Sequence, residues 1–329
     1  MKNFLLSHLL FLVLGTRLIM AVELVDPNLP DYQKAAGVSG TLNSIGSDTL
    51  NNMMTLWAES FQAIYPNVKV QIEGKGSSTA PPALIQGTAQ LGPMSRMMKG
   101  SEVDKFEAKY GYKPTPVGVA VDSILIMINK DNPIEGLTLK QVDRMFSSTY
   151  KMGGTKVRRW GEVDPTLPPS WRARPISLYG RNSASGTYGF FKEVALLGGD
   201  FSTRVKEQPG SSAVVQGVSN DLGGVGYSGV GYRTSGVRAT RLLKIGTDEQ
   251  EPAEPNAANS ITGQYPLARG LFIYCNRTPG KPLDKLTNEF FKFILSKQGQ
   301  EIVIKDGYFP LTAEVAEIAL DTIHGQYSE

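Results

Sequence analysis

The chain has 329 residues, a length that is enough for two domains of ordinary size, and 41% of them are hydrophobic and 20% charged. The formal net charge is +3 for the whole chain and +1 without residues 1–21, which contain Lys2 and Arg17 but no acidic residue. With so small a net charge, neither a nucleic acid nor a membrane surface is expected as a partner. The single cysteine, Cys275, excludes an intramolecular disulfide, and its apolar neighbours favour a buried side chain over a reactive thiol.

The first 21 residues have the features of a secretory signal. Lys2 supplies positive charge, an apolar run follows from Phe4 to about Ile19, and Ala21 suits cleavage. A membrane anchor is the alternative, but the uninterrupted apolar run is short for a membrane span. We therefore expect an exported, periplasmic protein that begins near Val22, with a loose N-terminal arm over residues 22–36.

From about Val38, short strand-like runs alternate with amphipathic helices, which is the pattern of an α/β fold. The first helix is predicted from apolar residues at three- and four-residue steps between Leu50 and Ile64, with Ser47 or Asp48 as its cap. The further elements predicted in this half are strands at 68–72 and 90–92, helices after 79 and at 102–110, buried strands at 117–121 and 124–128, and a helix from 138.

The second half continues the alternation after an irregular stretch. Residues 150–175 contain Gly153–Gly154 and several prolines, and we expect a surface excursion there. The elements predicted after it are a strand at 176–180, helices at 188–197 and 211–220, strands at 223–227 and 242–245, a loop at 247–263, an apolar crossing at 267–276, and helices near 284–298 and 311–322.

The usual catalytic sets are missing from the sequence. Without the signal, the chain keeps one histidine, His324, which makes a His-based triad implausible and excludes a multi-histidine zinc site. Neither a Gly-x-Ser-x-Gly elbow nor a phosphate loop ending in Gly-Lys-Ser/Thr occurs, and no acidic run has calcium-loop spacing. Asp48 and Asp122 are more typical of capping or hydrogen bonding than of general bases. We predict no catalytic residue, no metal and no cofactor.

Loops rich in glycine and hydroxyl groups occur at four strand-to-helix junctions. They are Gly46–Thr49, Gly76–Thr79, Met94–Arg96 and Arg181–Thr187. Ligands of open α/β sheets bind at the carboxyl ends of strands, and helix N-termini attract anions. Each junction alone is equally compatible with an ordinary helix cap. Four together, with the guanidinium donors of two arginines, favour a site for a dehydrated oxyanion.

At these junctions the chain resembles the periplasmic phosphate-binding proteins of the phosphate ABC transporter. The likeness extends from about Val38 to Leu311 and includes all but the Met94–Arg96 junction, together with the passage Tyr265–Tyr274. It implies the two-lobe periplasmic-binding-protein fold of type II, with a mostly parallel sheet flanked by helices in each lobe. Two crossing segments, near 121–126 and 268–271, join the lobes around a cleft that closes by hinge motion. The implied lobes are 37–121 plus 270–329 and 122–269.

The resemblance also implies roles for individual residues. Arg181 matches the arginine that grips phosphate, and donors at a helix N-terminus are matched by Ser185, Gly186 and Thr187. The first lobe would contribute Ser77 or Ser78, and Asp48 with Thr49. The stretch Ser95–Arg96 departs from the pattern, because many relatives have an aspartate there that accepts the proton of hydrogen phosphate. A serine separates phosphate from sulfate less sharply than a carboxylate does, and an inward-pointing Arg96 would attract any dianion.

The function implied is that of a monomeric solute-binding protein, not an enzyme. It would bind inorganic phosphate in the periplasm and deliver it to the permease of an ABC transporter. One alternative is a secreted phosphatase that uses the same cleft, although the sequence offers no metal cluster and no obvious base. The other is a phosphate-responsive sensing or surface-adhesion protein, in which the irregular segment 150–175, with Trp160 and Trp171, would contact a partner.

Overall fold

A computed structural model describes residues 25–243 and 252–325. The predicted signal and its cleavage site therefore lie outside the described residues, as does the end of the strand predicted at 242–245. The strands are β1 (Gly40–Ile45), β2 (Val68–Glu73), β3 (Gly92–Met94), β4 (Thr115–Asn129), β5 (Gly136–Thr138), β6 (Ser177–Arg181), β7 (Val205–Gln208), β8 (Gly224–Gly229), β9 (Val237–Ala239), β10 (Arg241–Leu243) and β11 (Ala268–Cys275). The helices are α1 (Asn51–Ile64), α2 (Ala80–Gln86), α3 (Gly100–Tyr110), α4 (Leu139–Phe146), α5 (Pro169–Arg172), α6 (Gly186–Ala195), α7 (Ser211–Ser219), α8 (Ala257–Ile261), α9 (Lys285–Ile294), α10 (Lys297–Lys305) and α11 (Ala313–His324).

Local sequence signals set several helix ends. Ser47 caps the 3-10 turn Asp48–Leu50 that leads into α1, because its side chain accepts a hydrogen bond from the backbone of Thr49. Thr138 and Gln141 form a capping box at the start of α4. At the end of α3, Gly111 adopts the left-handed conformation with a φ of 80°. These caps agree with the predicted helix boundaries.

One mixed sheet connects the two halves of the molecule. Its strand order is β3-β11-β4-β8-β6-β7, and β9 also pairs with β4. β11 is antiparallel to β3 and to β4, β4 is antiparallel to β8, and β6 is parallel to both β7 and β8. β1 and β2 form a parallel pair that a bridge between Ser44 and Leu91 connects to the region before β3. The predicted α/β class is confirmed.

β4 is one strand of 15 residues where two strands were predicted. The polar pair Asp122 and Ser123 separates the two apolar runs in the sequence. Both side chains are fully buried, so the chain passes through them without a turn. β4 and β11 are thus the strands shared by both halves of the fold.

The buried apolar residues form two large clusters. One consists of residues between 29 and 120 and between 271 and 323, and it includes Trp57, Phe61 and Phe290. The other consists of residues between 124 and 267, and it includes Trp160 and Phe191. Two separate cores give the molecule two lobes, each with its own helices. The lobe limits 37–121 plus 270–329 and 122–269 stay a prediction.

Segment 150–175 is irregular, as predicted, but the expectation of a surface excursion is wrong for its apolar residues. Val157 and Trp160 are fully buried in the second core, and the Trp160 indole donates a hydrogen bond of 3.3 Å to the carbonyl of Gly223. Burying these side chains is favourable, so the segment covers the core although it lacks long elements.

Three other boundaries differ from the predicted ones. The short strand β3 begins at Gly92, after the predicted strand at 90–92 had begun. α8 lies within the loop predicted at 247–263, because the Asn256 side chain caps its first turn. The helix predicted near 284–298 is divided into α9 and α10, because the Ser296 hydroxyl donates to the carbonyl of Phe293 at the end of α9 and caps α10, whereas α11 matches the helix predicted at 311–322. Among the described residues, none of the helices is long and apolar enough to cross a membrane.

Candidate functional site

Hydroxyl groups from four chain segments meet at the carboxyl ends of β1, β2, β3 and β6. Ser47 Oγ donates to Ser95 Oγ at 3.0 Å, and Ser77 Oγ lies 3.3 Å from the same atom. Thr49 Oγ1 lies 3.0 Å from Thr187 Oγ1. None of these five residues is more than 3% exposed. The structure therefore brings the predicted junctions together as one buried polar cluster.

The N-terminus of α6 contacts this cluster directly. Ser185 caps the helix, and its Oγ accepts hydrogen bonds from the backbone N–H groups of Thr187 and Tyr188 at 3.1 and 3.3 Å. A Cβ atom on Gly186 would lie 2.3 Å from Ser77 Oγ and 2.6 Å from Ser95 Oγ. Only glycine allows so close an approach, which aims the positive end of the α6 dipole at the hydroxyl groups.

Arg181 is the buried cation at the edge of the cluster. The residue is 1% exposed, and its Nη1 donates to Asp48 Oδ2 at 2.8 Å and to Ser211 Oγ at 2.7 Å. Its Nη2 donates to the carbonyl of Pro209 at 3.1 Å. The buried Nε atom has no hydrogen-bond partner in the described part of the chain. A buried donor without an acceptor is costly, so this atom favours an acceptor supplied by a ligand.

Asp48 connects the first loop to the other lobe. Besides Arg181, its Oδ2 accepts hydrogen bonds from the backbone N and from Oγ of Ser211, at 3.0 and 2.9 Å, where α7 begins. A carboxylate at a helix N-terminus is stabilised by the helix dipole. The loop backbone is held by two phenols, because Tyr232 donates to the carbonyl of Asp48 at 2.7 Å and Tyr308 to that of Thr49 at 2.8 Å.

Arg96 and Ser78 form a neighbouring group. Arg96 makes two hydrogen bonds of 2.8 Å to the carboxylate of Glu102 and one of 3.3 Å to Ser78 Oγ. Burial opposes ionisation of Glu102, but Arg96 and the amide of Lys99 lower its pKa, so the pair is ionic. The charge of Arg96 is therefore neutralised. The backbone N–H of Ser78 donates to the carbonyl of Ala184 at 3.1 Å, across the two lobes. The binding roles of Ser78 and Arg96 stay predictions.

A second buried ion pair is hydrogen-bonded to two residues of the hydroxyl cluster. Arg269 donates to Asp122 Oδ2 through Nε at 2.9 Å and Nη2 at 2.7 Å. Its remaining donors reach the carbonyl of Ser95 and the hydroxyl of Thr187. The sequence analysis predicted no role for Arg269, and it predicted only a capping or hydrogen-bonding role for Asp122. One signal could have found the pair: a charged residue in each of two apolar strand runs needs a buried partner.

The two ion pairs leave the formal charge of these side chains balanced, with Arg181 opposite Asp48 and Arg269 opposite Asp122. The other groups are neutral hydroxyls and a helix N-terminus, which suit a small oxyanion that has lost its water. Within residues 25–243 and 252–325, no group of three or more His, Cys, Asp or Glu residues could hold a metal ion. Cys275 is buried, as predicted, and burial raises the pKa of its thiol to about 12.

Known proteins resemble this chain over most of its length. A model of the PBP superfamily domain matches residues 33–298. The phosphate-binding protein PstS of Pseudomonas aeruginosa is 54% identical over 317 residues, which cover 96% of this chain and 97% of the relative.

Two solved structures extend the comparison to the fold. A possible phosphate binding protein from Planctomyces limnophilus is 27% identical, with a TM-score of 0.63, over 88% of this chain and 100% of that one. An ABC-type phosphate transport receptor from Vibrio cholerae is 22% identical, with a TM-score of 0.61, over 82% of this chain and 100% of that one. The latter supports the fold alone.

Proposed function

The chain belongs to the PBP superfamily and, within it, to the PstS family of phosphate-binding proteins, and on this basis we propose that it binds inorganic phosphate between its two lobes. The observation that carries the proposal is the unpaired Nε of Arg181 beside a buried hydroxyl cluster and the N-terminus of α6. Phosphate offers four oxygens, each an acceptor for such donors.

We assign the contacts to both lobes, which divide at residues 121/122 and 269/270. Arg181, Ser185, Gly186 and Thr187 supply donors from the second lobe. The donors of the first lobe are those of Thr49, Ser77, Ser78 and Ser95, with Arg96, whose charge Glu102 neutralises, at the margin. Because donors from opposite lobes hold one anion, binding favours the closed arrangement.

Asp48 is the carboxylate that we propose to give the site its preference for hydrogen phosphate. It lies beside Arg181, whereas the stretch in which many relatives have an aspartate contains Ser95. A carboxylate accepts the proton of hydrogen phosphate and repels a fully ionised anion such as sulfate. We therefore expect phosphate to bind more tightly than sulfate, and Asp48→Asn to reduce the difference.

The cellular role that follows is that of a periplasmic carrier. We propose that an N-terminal signal directs export, that the protein acts as a monomer without nucleic acid, and that it delivers phosphate to an ABC transporter permease. The carrier breaks no bond and needs no nucleophile. A chromogenic phosphate ester incubated with the protein is expected to release no product, and steady turnover would favour the phosphatase alternative.

Calorimetry of the mature protein tests the binding proposal. Phosphate should bind with one site per chain, and sulfate at equal pH should bind more weakly. Equal affinities for the two anions would contradict a phosphate-specific site.

Arg181→Ala should cost about 2–5 kcal/mol of binding free energy, because it removes a charged donor from a dry site. Arg204→Ala is the matched control, since Arg204 donates to the carbonyls of Val157 and Ile176 within the second lobe only. Unchanged phosphate affinity in Arg181→Ala would remove Arg181 from the site.

A further inference from the structure

The two strands that pass between the lobes each carry one buried charge. In the antiparallel pair of β4 and β11, Asp122 and Arg269 are register partners, and they are 0% and 7% exposed. Their charges are paired directly, and Asp122 Oδ1 also accepts a hydrogen bond of 3.1 Å from the backbone of Val230. The pair is therefore fixed on the two strands that connect the lobes.

From this anchor the Arg269 guanidinium reaches both halves of the site. Nη1 donates to the carbonyl of Ser95 at 2.6 Å, and Nη2 donates to Thr187 Oγ1 at 2.9 Å. Ser95 follows β3 of the first lobe, and Thr187 lies in the first turn of α6 in the second lobe. The guanidinium also lies over the ring of Phe190, at 5.6 Å from its centroid. These contacts orient its planar fork.

We propose that Arg269 is a positioning residue that couples lobe closure to assembly of the anion site, a role that rests on the phosphate-binding function proposed above. Its two outer contacts join groups of opposite lobes, so they exist together only when the lobes are closed. In that arrangement Arg269 holds the Ser95 loop and the Thr187 hydroxyl at the distance that the anion needs. Asp122 keeps the guanidinium at the crossing and neutralises it, so Arg269 acts through its neighbours without taking part as an anion ligand.

An ion pair that only stabilised the fold would affect stability and phosphate affinity differently from a coupling residue. Its loss would destabilise the fold but leave the affinity of the folded molecules unchanged. Loss of a coupling residue lowers the closed population, and the apparent affinity then falls by the same fraction. Because a closed lobe pair traps the anion, the larger change should be in the dissociation rate.

The test compares Arg269→Gln, Arg269→Lys and Asp122→Asn with the wild-type chain. Phosphate affinity is measured by calorimetry, the dissociation rate by stopped flow, and closure by the fall in radius of gyration on adding phosphate. Arg204→Gln is the matched control, because the Arg204 guanidinium also bridges two segments, through the carbonyls of Val157 and Ile176, but lies outside the crossing.

We expect Arg269→Gln to lose about tenfold or more in affinity, mainly through faster dissociation, and to contract less on binding. Arg269→Lys should recover part of the loss, because one ammonium can pair with Asp122 but cannot span both Ser95 and Thr187. Asp122→Asn should change affinity in the same direction as Arg269→Gln. Arg204→Gln should keep wild-type affinity and contraction.

Two results from folded variants would overturn the proposal. One is wild-type affinity and contraction in folded Arg269→Gln, and the other is an equal loss in Arg204→Gln. If none of the three variants at 122 and 269 folds, the pair is structural and the proposal also fails. The wild-type titration separates this inference from the function itself, since absence of phosphate binding there would refute the proposed function before any variant is compared.

Discussion

At the scale of single residues, Gly186 is important because the absence of a side chain lets α6 approach the hydroxyl groups of the first lobe. The glycine lies in the first turn of α6, a position that places no special demand on backbone φ, so alanine would be tolerated in an isolated helix. The demand comes from the other lobe, because a Cβ there would overlap Ser77 Oγ and Ser95 Oγ. The contact joins groups of the two lobes.

Gly186→Ala should therefore weaken phosphate binding by about a hundredfold or more without lowering the stability of the unliganded chain, since alanine favours a helix by about 0.5–1 kcal/mol over glycine. Gly189→Ala in the same helix is the control. Its Cβ would meet the Arg96 side chain at 3.4 Å, an ordinary contact. Calorimetry and thermal unfolding measure both properties, and equal affinities for the two variants would show that closure does not need Gly186.

Asp306 is a half-buried residue outside the site, and one of its carboxylate oxygens is fully buried. Its Oδ2 has no hydrogen-bond partner among the described residues, and Tyr232 and Tyr308 are its titratable neighbours. Burial raises its pKa from 3.8 to about 7, although a hydrogen bond with the backbone of Met53 acts in the opposite direction. Because the pKa of Asp306 is higher in the folded chain than in the unfolded chain, protonation of this carboxyl group stabilises the fold, and the stabilisation is complete at a pH below the unfolded pKa. It is lost as the pH rises through about 7.

Asp306→Asn should therefore stabilise the chain at about pH 8, by roughly 1–2 kcal/mol after allowance for solvent screening, and much less at about pH 4. Urea unfolding across this range measures the difference in the free energy of unfolding. Asp104→Asn, at an exposed position of α3, is the control and should show no such trend. A pH-independent effect of Asp306→Asn would contradict the raised pKa.

At the scale of elements, segment 150–175 is a covering layer of the second core. Trp160 is fully buried, whereas Trp171 is partly exposed and lies against Arg174, whose guanidinium is 4.7 Å from the ring centroid. The two tryptophans have the same size but different surroundings, so they form a natural pair for testing which part of the segment supports the fold.

Trp160→Ala should lower the free energy of unfolding by about 3–5 kcal/mol, because it leaves a large cavity in the second core. Trp171→Ala should cost clearly less, since its ring is already in contact with water. Denaturant unfolding followed by circular dichroism measures both changes. Similar costs for the two variants would mean that the segment packs as a uniform layer.

Local patterns predicted most elements, whereas long-range contacts decided the rest. The start of α1 follows from apolar periodicity and from the Ser47 cap of the 3-10 turn before it, and the end of α3 follows from Gly111. The continuity of β4 depends on Asp122, whose partner Arg269 is 147 residues away. No short window of sequence contains both charges, so the pattern of β4 alone resembled two strands.

The site divides in the same way. Its hydroxyl loops were visible because glycine, serine and threonine recur at strand ends, and the structure brings these loops together. The ion pair of Arg96 with Glu102 was not visible, because a side-chain direction cannot be read from the sequence of a loop. Which of these residues touch the anion stays a prediction until a complex is measured.

At the scale of the whole molecule, the lobes are connected by more than the two crossing strands. Thr49 contacts Thr187, Asp48 contacts Ser211, and the backbone of Ser78 contacts that of Ala184. Each of these contacts joins the first lobe to a helix N-terminus of the second, at α6 or the residue pair before it and at α7. A ligand held at this surface must therefore order both sides, even though each lobe has its own core.

Phosphate should accordingly slow amide hydrogen exchange in both lobes, in segments 46–50 and 76–79 of the first and 185–189 of the second. At a free concentration about a thousandfold above the dissociation constant, binding adds about 4.1 kcal/mol to the stability of the closed state. Short labelling times report local opening and not global unfolding. The internal reference is α11, because it lies apart from the site loops along the chain. Sulfate at equal ionic strength should protect these segments less. Protection confined to one lobe would mean that the anion binds to a single lobe, and closure would then not be part of recognition.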